Sequence, residues 1–138
     1  MDLDRFVTAQ DETGTYDRAL AELRAGRKTS HWMWFVFPQV AGLGHSPTAR
    51  AYAIEDLAEA RAYVAHEVLG PRLLECCRAL LDVEDVSAER VLGGVDAMKL
   101  RSSMTLFAQA APDERLFVDV LDRFYEGEQD ERTVDLLG

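Results

Sequence analysis

Apolar residues recur at helical spacing along most of the chain. Leu3 and Phe6 mark one turn of a short first helix. Tyr16, Ala19, Leu20 and Leu23 then share a face, with Thr15 placed to cap that helix and Gly26 to stop it. Ser30 precedes the apolar run Trp32 to Phe37. Periodicity alone leaves strand and helix open there, but Pro38 biases Phe37 away from helix, and a serine cap favours a helix of two turns or less. Ser46-Pro47 reads as a cap with proline at the first helical position. Asp56 with Glu59 reads as a capping box for a helix reaching Val64.

Pro71 sits in the first turn of a helix whose apolar face is Leu73, Cys77, Leu80 and Leu81. Ser87 opens a short helix that stops at Gly93-Gly94. Asp96 is placed to cap the next one, with Ala97, Leu100, Met104, Phe107 and Ala111 as its stripe. Leu116, Phe117, Val120, Leu121 and Phe124 form the cleanest amphipathic stripe, closed by Gly127, and Asp130 can cap a last turn. No segment alternates apolar and polar, and no Asn-Gly or Asp-Gly turn occurs. The pattern predicts an all-α, compact array of about seven or eight short helices with less than about 5% strand. Loops are short, so residues 1–138 are expected to form a single domain.

Composition narrows the function classes. Hydrophobic residues make up 48% and charged residues 29%, as in a globular protein. The formal net charge is −10, which repels polyphosphate, so no nucleic-acid polymer is expected as partner. The longest apolar run falls well short of the roughly 20 residues that span a bilayer, and the acidic N-terminus lacks the features of a signal peptide. No membrane partner and a cytoplasmic location are therefore expected. Cys76 and Cys77 are adjacent, ill placed to bond each other, and read as core residues. His31, His45 and His66 lack metal spacing, and the catalytic signatures built on GxSxG, HExxH or phosphate-binding glycine loops are missing. No metal and no cofactor is expected.

Three segments could carry chemistry. In the first, Lys28, Ser30, His31, Trp32, Trp34 and Gln39 bring together a basic residue and both tryptophans, which with Phe35 and Phe37 are a third of the aromatics, followed by glycines 42 and 44. Such a set can stack a flat ring and receive an anion; it is also what a central core helix looks like. In the second, Lys99, Arg101, Ser102, Ser103 and Thr105 place anion-binding groups within two turns. Serine and threonine are not preferred inside helices, so they either bond the carbonyl four residues back or face a polar pocket. In the third, Arg72 begins a helix, where a cation opposes the dipole. It answers an acid, with Asp96 and Asp130 as candidates, or it meets a ligand. If catalysis occurs, His31 and Asp96 are the candidate acid–base groups. Whether the chain is an enzyme is open.

The strings KTSHWMWFVFPQVAGLGHS, EVLGPRLLE, DAMKLRSSMTLF and EGEQDERTVDLLG closely resemble the bacterial family of domain of unknown function 1810, over about residues 3 to 137. The resemblance implies a compact all-helical fold and no particular activity. Some members bear the name calpastatin, yet nothing here resembles a calpain-inhibitory repeat. The chain departs from the family pattern at Glu67, where proline is usual, and at Ala97, where an acid is common. A fainter similarity of layout connects it to NADAR-type N-glycosidases, which act on ribosyl compounds. Two readings follow from the residues. Either the first two segments converge on a pocket for an anionic, phosphorylated or nucleotide-like small molecule, or the aromatics are core and an exposed helix face binds a protein partner.

Overall fold

The computed structural model describes residues 2–138. Among them the chain forms α1 (Asp4–Asp11), α2 (Thr15–Arg24), α3 (Met33–Val36), α4 (Pro47–Ala51), α5 (Leu57–Ala65), α6 (Leu69–Asp82), α7 (Ala88–Leu92), α8 (Gly94–Ala110), α9 (Leu116–Tyr125) and α10 (Glu131–Leu137). The fold is all-α. Its only β feature among the described residues is an isolated parallel bridge between Val40 and Ile54. The helices slightly outnumber the seven or eight expected, and they include α3, α4 and α7, of four, five and five residues. Among the described residues no helix is long and apolar enough to cross a membrane.

The caps that rest on a purely local pattern are where the sequence puts them. Ser46 accepts from the amide of Ala49, Asp56 from Glu59, Ser87 from Arg90 and Asp130 from Thr133. Three expected caps are corrected. The α2 helix starts after Gly14, and the Thr15 hydroxyl donates backward to the Glu12 carbonyl at 2.7 Å. The α3 helix starts only at Met33, because Ser30 is turned toward Glu22. The α8 helix starts two residues before Asp96, because Gly93 at φ 86° makes the break itself. The capping box of α5 is half made: Asp56 caps, but the buried Glu59 carboxylate turns to Arg5 at 3.3 Å and to the Glu55 amide at 2.9 Å.

Helix α8 is the axis of the molecule, packing against α5, α7, α9 and α10. From Ser102 to Ala108 every residue is buried, so the helix is enclosed all round and is not one-sided. Aromatic rings tie the layers together in sequence: Phe6 of α1 meets Tyr63 of α5 at 5.1 Å between centroids, Tyr63 meets Phe107 of α8 at 5.3 Å, and Phe107 meets Phe117 of α9 at 5.5 Å. Cys76 and Cys77 are unbonded and buried in α6, and burial pushes the Cys76 thiol up to about 12, so it stays protonated and unreactive.

The junction of α5 and α6 depends on Gly70. A Cβ there would lie 2.0 Å from the Val64 carbonyl oxygen, a backbone atom that cannot swing aside. Glycine to alanine in a helix ordinarily stabilises by about 1 kcal/mol. At Gly70 the sign is expected to reverse: Gly70→Ala should lose about 2 kcal/mol or more in urea denaturation, as an overpacked contact does.

Candidate functional site: a cleft beside the first turns of α8

A cleft of about 220 Å³ opens between the loop after α3, the N-terminal half of α8 and the start of α10. Three side chains come from α8 turns that the sequence singled out: Lys99, Arg101 and Ser102. Gln39 and Leu43 come from the loop, Val95 and Met98 from the α8 start, and Asp130 and Arg132 from the α10 start. The loop is held by the bridge, in which the Ile54 amide donates to the Gln39 carbonyl and the Ala41 amide to the Ile54 carbonyl, each at 2.8 Å. Leu136 of α10 packs over Gly42, close enough that a Cβ there would meet it at 3.2 Å.

The hydroxyls of α8 have two kinds of work. Ser102 Oγ donates within 3.2 Å of the Met98 carbonyl and 3.0 Å of Asp130. Thr105 Oγ1 donates to the Arg101 carbonyl at 2.8 Å and accepts from the Asp130 amide at 2.9 Å. Back-bonding to the carbonyl four residues earlier and a lash to α10 therefore coexist. Asp130 Oδ2 also accepts from the amide and hydroxyl of Thr133, so this oxygen is saturated. Ser103 is fully buried, does not line the cleft, and its hydroxyl has no partner among the described residues. Arg101 is braced against the chain before α10, donating to the Glu128 and Gln129 carbonyls at 3.0 and 2.9 Å. Among the described residues Arg132 has no ion-pair partner.

Behind the cleft stands an arrangement that uses both lysines and both tryptophans of the chain. Asp96 accepts from Lys28 at 2.9 Å and lies 3.8 Å from Lys99. Lys28 Nζ sits over the Trp32 ring at 5.1 Å, and Lys99 Nζ over the Trp34 ring at 4.9 Å. The Lys28 side chain is only 8% exposed, against 24% for Lys99. The first and second segments do touch, through Lys99 on Trp34 and Lys28 on Asp96. The expected aromatic wall does not form, however. Trp32 is buried, and one face of Trp34 is taken by Lys99, so neither ring lines the cleft.

Glu22, which the sequence reading passed over, holds the chain leading into α3. Its carboxylate accepts from the Thr29 and Ser30 amides at 2.7 and 3.0 Å, from Ser30 Oγ at 2.6 Å and from Trp32 Nε1 at 3.0 Å. Burial pushes its pKa up, but these hydrogen bonds outweigh it and hold the group at about 2. The signal for it was an acid in the last turn of α2, where the helix dipole disfavours one. The remaining candidates lie outside the cleft. His31 is exposed and does not line it. Arg72 answers neither Asp96 nor Asp130: it pairs with Asp11 at 2.8 Å, donates to Gln10 at 3.2 Å and stacks over Tyr16 at 4.8 Å. Asp96 is part of the lysine arrangement and not an exposed acid.

Comparison with known proteins follows the fold closely. The family model described as "protein of unknown function (DUF1810)" matches residues 1–137. The chain is similar to the conserved hypothetical protein Rv1873 from Mycobacterium tuberculosis, known from a crystal structure, at 52% identity and a TM-score of 0.95 over 99% of this chain and 96% of that one. Among curated proteins nothing matches.

Two outcomes are expected from the half-buried carboxylates Glu22 and Asp96. Glu22 has its folded pKa near 2 against an ordinary 4.5. Its contribution to stability is thus complete above about pH 4.5 and lost as pH falls toward 2. Glu22→Gln should cost about 2 kcal/mol at pH 7, and the gap to wild type should narrow across that acid window in pH-dependent unfolding. Asp96→Ala strands Lys28 and should cost about 3 kcal/mol, where a lost cap would cost about 1. The same change in a Lys28→Met background should cost far less; equal costs in both backgrounds would refute the pairing.

Proposed function

Because the chain belongs to the DUF1810 family of proteins of unknown function, its site must be read from its own chemistry, and we propose that the cleft beside α8 binds a small anion. The observation that carries this reading is the gathering of Lys99, Arg101 and Arg132 on one cleft of a protein whose net charge is −10. Among the described residues Asp130 is the single acid that lines it, with one carboxylate oxygen already saturated by Ser102 and Thr133, and Glu128 pairs with Arg101 at 3.4 Å from beside the cleft. Asp96, which could neutralise Lys99, is drawn 0.9 Å closer to Lys28, 2.9 against 3.8 Å. The Lys99 ammonium is thus left with capacity for a further acceptor, and Gln39 adds an amide beside it. The volume suits a phosphate or carboxylate head with a modest substituent and is too small for a polymer.

An N-glycosidase would need a free acid–base group at the cleft; neither His31 nor Asp96 lines it, and Asp130, the acid that does, has one carboxylate oxygen committed to Ser102 and Thr133. A protein-docking role draws on the exposed Val95 and Met98 at the mouth. It is separated from anion binding by titration with inorganic phosphate. Trp34 reports directly, since Lys99 covers its ring while Trp32 is buried. Phosphate should change the tryptophan emission saturably. Lys99→Ala should weaken that binding about tenfold or more, the worth of one charge-assisted hydrogen bond. Arg72→Ala, outside the cleft, should leave the affinity unchanged. No saturable response in low-salt buffer would defeat the reading.

A further inference from the structure

The cleft has an apolar rim as well as its cations. Val95 and Met98 are 70% and 72% exposed, and with Leu136 at 48% they are the exposed large apolar side chains among the described residues. Scattered apolar residues on a surface are ordinary. Here two of the three, Val95 and Met98, line the cleft together with Leu43, and Leu136 packs over Gly42, the residue before Leu43. The same cleft carries the half-buried Lys99 and Arg101 and the exposed Arg132. Cations and apolar side chains on the walls of one cleft match a ligand with the same two parts.

The chemistry of the rim narrows the second part. A nucleobase is held by stacking on a rigid ring, but Trp32 is buried and Lys99 covers a face of Trp34. The available surfaces are aliphatic: Leu43, Val95 and the flexible thioether of Met98, which adapts to chains of varied shape. Resting on the anion-binding reading, we propose that the ligand is a small amphipathic anion. A carboxylate or phosphate head lies at the three cations, and an aliphatic chain lies across Leu43, Val95 and Met98. A flat nucleotide is disfavoured.

The probes are inorganic phosphate, methyl, ethyl and butyl phosphate, butyrate and AMP. Binding is followed by Trp34 emission and by the methyl resonance of Met98 in protein labelled at its methionine methyls, identified by its loss in Met98→Leu. Affinity should climb through the alkyl phosphates by roughly threefold to fourfold for each methylene that reaches the rim. Butyl phosphate should outbind AMP, and the Met98 methyl should shift with the butyl compounds more than with inorganic phosphate. Butyrate showing the same Met98 shift would identify the chain, and not phosphate itself, as what the rim recognises. In Val95→Ser/Met98→Ser, two exposed positions that the fold does not depend on, the climb from methyl to butyl should shrink to less than about twofold. If inorganic phosphate binds but the series is flat, or AMP outranks butyl phosphate, the amphipathic-ligand proposal is overturned while the anion cleft stands. If no probe binds, inorganic phosphate included, the cleft reading itself falls.

Discussion

Asp96 stands between the two lysines of the chain, and the geometry around the cleft depends on how it divides itself between them. Lys28 is nearly buried at the end of the segment that follows α2, with its amide donating to the Val91 carbonyl at 2.7 Å. Burying an ammonium is costly unless a carboxylate answers it at close range. The shorter contact goes to Lys28, and this fixes the chain entering α3 against the first turn of α8. The partial contact left for Lys99 positions that ammonium over Trp34 without neutralising it. One carboxylate thus serves as a structural counter-ion on one side and as a positioning group on the other. Its place in the first turn of α8 also suits the helix dipole.

A second half-buried carboxylate completes the frame. Glu22 gathers four donors from Thr29, Ser30 and Trp32, so these polar groups ahead of α3 are satisfied by α2 and not by α3. That is why Ser30 is not a cap and why α3 shrinks to one turn. The cleft inherits this rigidity on one wall through Gln39, whose carbonyl is tied to Ile54, and on the other through Ser102 and Thr105, which bind Asp130 at the head of α10. Between these braced walls the cleft carries three cations and, among the described residues, one lining acid, Asp130.

The sequence is informative where the physics is local. Ser46, Asp56, Ser87 and Asp130 were legible because a cap needs only a short side chain and an amide three residues on. The all-helical class was legible because apolar spacing repeats in most of the longer segments, and the resemblance to the family pointed the same way. Long-range pairings were not legible. Lys28 reads like any solvated cation until Asp96 is brought to it across 68 residues, and Arg72 reads like a partner for Asp96 until Asp11 proves nearer. The serines and threonine of α8 were marked as needing a reason, and Ser102 and Thr105 have one in α10. The aromatic cluster admits either ligand stacking or a central core, and the structure makes Trp32 core and places Trp34 beneath an ammonium. Arg132 and the apolar rim carried no sequence signal, because exposed side chains of α8 and α10 meet only after the chain has folded.

The chain's two lysines allow the division of labour at Asp96 to be observed without substitution. Nitrogen-15 spectra of the lysine side chains should show two ammonium signals of different character: Lys28 protected from exchange with solvent, and Lys99 exchanging faster. Added inorganic phosphate should shift Lys99 and leave Lys28 in place, because Asp96 holds the buried ammonium while the exposed one meets the anion. Two lysines that exchange alike, or a phosphate response at Lys28 with none at Lys99, would contradict the account.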